Sequence, residues 1–69
     1  MKRRLHLTEG NSDKFWYIDV AEDHVTVRYG RSGTAGTTRT KQYDSADKAL
    51  TDAKKQVDAK IKKGYTDDA

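Results

Sequence analysis

Apolar and polar positions alternate along the first forty residues and then change period. Leu5 and Leu7 share one side of residues 2–8, with Arg4 and His6 on the other, which predicts a first strand. The turn cluster at residues 9–13 follows. Residues 15–20 are aromatic and β-branched, and they predict a second strand. Trp16, Ile18 and Val20 form its uniformly apolar side and are expected to face the core; Phe15, Tyr17 and Asp19 form the other. Glu22 and Asp23 make the next turn. Val25, Val27 and Tyr29 then alternate with His24, Thr26 and Arg28, a third strand.

Gly30 interrupts that alternation. A glycine there predicts either a bulge or the close approach of a partner's backbone. A glycine-rich loop at 33–36 leads to residues 37–43, a threonine-rich, polar strand expected at an edge or half exposed. From residue 45 the spacing becomes helical. Ala46, Ala49, Leu50, Ala53, Val57 and Ile61 recur every three or four positions as one narrow stripe. Ser45 is placed to cap this helix, Asp47 suits its first turn, and Lys60, Lys62 and Lys63 suit its last. Gly64 marks the stop. Tyr65 is expected to fold back onto the sheet and residues 66–69 to fray. Four strands followed by one helix give an α+β fold: a small four-stranded antiparallel sheet with one C-terminal helix packed on one face.

Length bounds the rest. At 69 residues the chain is a single domain, and a ligand pocket of ordinary size would consume most of its core. Cysteine is absent, so disulfides, thiolate metal sites and a cysteine nucleophile are excluded. His6 and His24 have no carboxylate spacing around them that would complete a metal site. No nucleophile–base pair or carboxylate pair is visible, which points away from an enzyme and from any cofactor. No apolar run reaches the ~18 residues of a membrane span. The cytoplasm is the expected location.

Net charge is +3. Its distribution matters more than its total. No acidic residue lies between Asp23 and Asp44, and Arg28, Arg31, Arg39 and Lys41 all lie in that window. Tyr29 lies there too, beside Gly30 and Arg31. An aromatic ring inside a purely cationic stretch suits phosphates and a stacked sugar or base. Tyr29 has two readings, because it shares a face with Val25 and Val27: a core aromatic, or an exposed stacking ring where the strand ends. The lysines of the helix read as a solvated face outside the apolar stripe. Gly33 and Gly36 match the spacing of a KH loop, but between strands rather than helices, and no Lys-Ser/Thr pair follows to make a P-loop.

The ordered set Lys14-Phe15-Trp16, Val27-Arg28-Tyr29-Gly30-Arg31, Gly33 and Gly36, Lys41 and Tyr43, and Lys62-Lys63-Gly64-Tyr65 resembles the WGR domain. The likeness runs from the first strand to Tyr65 and is closest to small bacterial members. Tyr29 stands where that family carries its eponymous tryptophan, which keeps a flat ring with less stacking area. The domain occurs in DNA-dependent poly(ADP-ribose) polymerases, where it binds a DNA end. The resemblance therefore implies a noncatalytic nucleic-acid-binding module, DNA favoured over RNA. Tyr29, Gly30 and Arg31 would form its centre, and Arg28, Arg39 and Lys41 its phosphate track. The alternative is a protein–protein module that uses the Tyr29 and Arg31 surface. A monomer with no membrane contact is expected in either case.

Overall fold

The alternating segments pair as antiparallel neighbours because each has one apolar side to bury. The computed structural model describes residues 1–67. Among them five strands form: β1 (Lys2–Glu9), β2 (Ser12–Ala21), β3 (His24–Arg31), β4 (Thr37–Gln42) and β5 (Thr66–Asp67). One helix, α1 (Ala46–Lys62), precedes the last strand. The strands lie in one sheet in the order β4-β3-β2-β1-β5, every neighbouring pair antiparallel.

Helix α1 crosses one face of the sheet. Leu5, Trp16, Ile18 and Val25 from the strands meet Ala49, Ala53 and Val57 from the helix in one buried cluster. Small alanines let the helix axis come close, so the core is thin and depends on Trp16 for much of its bulk. Ser45 caps α1 as its sequence position indicates: its Oγ accepts the Lys48 N–H at 3.1 Å. At the other end Tyr65 N–H reaches Lys60 O (3.1 Å) and Gly64 N–H reaches Ile61 O (3.0 Å). That is the paired C-terminal closure in which a glycine at positive φ reverses the chain, here Gly64 at φ +107°.

Three expectations need correction. Thr66 and Asp67 are not frayed: they pair with His6 and Leu5 on the free edge of β1. Once Gly64 has turned the chain and Tyr65 packs against the core, the next two residues lie alongside that edge. Arg3 then fixes them, with Nε and Nη2 donating to the two Asp67 carboxylate oxygens at 3.0 and 2.6 Å. Residues 68 and 69 of the same expectation lie outside those described. Second, Ile61 is not part of the buried stripe but 42% exposed; the stripe continues from Val57 to the half-buried Lys60. Third, Phe15 is buried although it points away from the helix. The chain around Gly36 folds over it, so close that a Cβ on Gly36 would stand 2.7 Å from the Phe15 ring.

Candidate nucleic-acid interface

Strand register decides which cationic residues meet. Tyr29 pairs with Trp16 on β2 and with Thr37 on β4. Arg31 pairs with Lys14, Arg39 with Val27, and Lys41 with Val25. Directly paired residues share a face. Trp16 and Val25 are core residues under the helix. Tyr29, Arg31, Arg39 and Lys41 are therefore all on the helix side. Tyr29 is 37% exposed, because it stands at the end of β3 beyond the full cover of α1. Its ring is not a core aromatic.

Arg28 falls on the other side. It pairs with Tyr17 and Thr38 on the face that the helix leaves uncovered. Its Nε donates to Ala35 O at 2.6 Å, and its guanidinium lies over the Phe15 and Tyr17 rings at 5.5 and 6.0 Å. Arg28 thus ties the glycine loop to the sheet. The six residues singled out from the sequence do not make one surface.

Gly30 holds no bulge. It pairs with Phe15 in an unbroken register from Lys14↔Arg31 to Ala21↔His24. The reason for glycine is a close approach, and the approaching backbone is the chain's own. A Cβ on Gly30 would stand 2.8 Å from Gly36 Cα. Gly36 in turn sits at φ +74°, where a Cβ would meet Tyr29 O at 2.5 Å. These two glycines fold the loop flat against the end of β3 and so set the position of Tyr29.

The helix-side residues line a groove of about 610 Å³ between β3, β4 and α1. Trp16, Tyr29 and Tyr43 supply its aromatic surface, and Arg39, Lys41 and Lys60 its charge. Past Tyr29 it runs into a hollow of about 330 Å³ that Lys14, Arg31, Lys60 and Tyr65 also line. Trp16, Tyr29 and Lys60 border both. No Asp or Glu lines either one. Lys41 Nζ lies 4.9 Å from the Tyr43 ring centroid. The Asp52 carboxylate is engaged: the Tyr43 hydroxyl donates to its Oδ2, and Gln56 Nε2 donates to the same oxygen at 3.0 Å. The bond to Asp52 pushes the Tyr43 phenol up to about 12, and the bond from Tyr43 holds the Asp52 carboxyl below the ordinary carboxylate range.

Sequence reasoning missed Lys14, Tyr43 and Lys60 as parts of this surface. Lys60 follows Val57 by three positions, so it sits on the buried side of α1 rather than among the solvated lysines. Lys14 precedes Trp16 by two and so shares its face. Both were legible from period alone. Tyr43 has the spacing of Arg39 and Lys41 but lies one residue past the end of β4.

The WGR domain profile matches residues 1–69, the whole chain. An uncharacterised Escherichia coli (strain K12) protein, YfeS, is 41% identical over 68 residues. That match takes in 99% of this chain but 28% of YfeS. A crystal structure of a protein from Bacteroides fragilis superposes with a TM-score of 0.95 at 42% identity, over 100% of this chain and 20% of that one. The chain thus spans under a third of each of these relatives. No helix among the described residues is long and apolar enough to cross a membrane. With the sheet order, the helix placement and Tyr29-Gly30-Arg31 at the end of β3 all in hand, the chain belongs to the WGR domain family.

Proposed function

We propose that this domain is a noncatalytic module that binds DNA at ends or breaks through the groove around Tyr29. The observation that carries the reading is the exposed Tyr29 ring on one face with Arg31, Arg39 and Lys41, in a groove with no acidic lining. WGR domains generally bind nucleic acid, which supports the same reading. The Tyr29 ring stacks on a terminal sugar or base, an interaction worth about 1–3 kcal/mol. Arg31 forks onto phosphate, since its planar guanidinium matches two oxygens. Arg39 and Lys41, on the exposed strand β4, draw the backbone along the groove.

Fluorescence anisotropy with a blunt duplex and with the same duplex closed by hairpin loops tests this. The open duplex is expected to bind more tightly. Three phosphate contacts give log K against log salt a slope of about −2.7. Equal and negligible binding of both forms at low salt would end the proposal. A docking surface for another protein domain is the second reading, favoured by relatives several times longer than this chain. A partner held by a buried aromatic would give almost no salt dependence.

A further inference from the structure

Lys60 is a half-buried cation held against two aromatic rings. Its ammonium lies 5.7 Å from the Trp16 ring centroid and 5.5 Å from that of Tyr65. Burial pushes its pKa down, and the like charge of Lys63 adds to this. Arg3 is paired with Asp67, and Lys48 with Asp44. Lys60 has no carboxylate partner and no hydrogen-bond acceptor among the described residues. A half-buried ammonium with no counter-ion keeps only part of its hydration, and the two ring faces offset part of that loss.

The surroundings say what would complete it. Lys14, Arg31 and Lys60 line the same 330 Å³ hollow, with no acid among its walls. Three cations around one small hollow suit a group with more than one negative oxygen. Trp16, Tyr29 and Tyr65 line the same hollow, which leaves room beside that group for something flat. We propose that Lys60 is the base of an oxyanion subsite that takes a phosphate group, with Lys14 and Arg31 at its rim. The phosphate comes either from a nucleic-acid strand, in which case the subsite rests on the groove reading above, or from free phosphate, in which case it does not.

The chain has one tryptophan, and Lys60 lies over it. Trp16 emission is therefore a local reporter. Inorganic phosphate is titrated against chloride at matched ionic strength, and a blunt duplex is titrated in parallel. The native sequence, Lys60→Met and Lys60→Gln are compared, each checked by its melting curve. Methionine and glutamine are both good helix formers, so the helix tolerates either. A saturable Trp16 response to phosphate that both variants lose supports the subsite. So does a roughly tenfold loss of duplex affinity with a salt slope shallower by about 1. Duplex binding of unchanged affinity and slope in folded variants, with an unchanged phosphate response, overturns the subsite and leaves the groove reading intact. A phosphate response that depends on Lys60, with no duplex binding at all, keeps the subsite and overturns the groove reading.

Discussion

The two faces of the sheet carry similar residues and use them differently. Each has aromatic rings beside arginines. On the uncovered face Arg28 is committed: it holds Ala35 and lies against Phe15 and Tyr17, while Arg4 lies 5.6 Å from the Tyr17 ring centroid. On the helix face Arg31, Arg39 and Lys41 border an open groove and make no ion pair among the described residues. Arg28 and Arg31 are three residues apart in one acid-free window. Strand parity alone separates a residue that fastens the fold from one that is free for a ligand.

That contrast breaks first at the glycines between the faces. Gly36→Ala places a Cβ against Tyr29 O and the Phe15 ring at positive φ, and is expected to destabilise by about 3 kcal/mol. Gly33→Ala has the same backbone problem at φ +88° but open space around it, so about 1 kcal/mol is expected. Urea unfolding of the two variants measures the difference; equal losses would mean that the Gly36 contact does not hold the loop.

Next comes a swap of readouts between the arginines. Tyr29→Ala or Arg31→Ala should lower duplex affinity by about tenfold or more. Their unfolding midpoints should move little, since both residues are at the surface. Arg28→Ala should do the reverse: about 1 kcal/mol of stability lost with its tether and ring contacts, and a salt slope that does not change. Loss of affinity and slope in Arg28→Ala would return that residue to the binding surface.

A smaller effect tests the floor of the groove. Tyr43→Phe removes the bond to Asp52 and should cost about 1 kcal/mol near neutral pH. Because the Asp52 carboxyl is held low, its share of stability is present above the ordinary carboxylate pKa of about 4 and fades as pH falls further. The Tyr43 phenol is held high, so its share is complete below about pH 10 and fades as pH rises through about 12. Melting temperatures of the two proteins should therefore differ most between those limits and converge in acid. Least of all, Ile61→Gln should shift stability by under about 0.5 kcal/mol, because Ile61 is exposed.

Much of the fold was legible because two periods did not conflict. The apolar sides of Leu5, Trp16, Ile18 and Val25, the Ser45 cap and the Gly64 stop all follow from local rules, and each appears in place. The fifth strand was not legible. Thr66 and Asp67 have no pattern of their own, and their pairing depends on where Gly64 aims them and on Arg3, 64 residues away from Asp67. The candidate site was legible in part. Charge segregation pointed to Arg28, Arg31, Arg39 and Lys41 alike; it could not show that strand parity sets Arg28 on the opposite face from the other three. Lys60 was counted with the solvated lysines of the helix, although its spacing from Val57 turns it inward.

The two-residue return along β1 has one more effect. A bare strand edge invites another chain to add to it, and β1 would offer such an edge next to the apolar Leu5 and Leu7. Thr66 and Asp67 cover part of it. The opposite rim is β4, whose six residues are all polar, two of them cationic. Self-association by edge-to-edge addition is thereby discouraged on both flanks of the sheet.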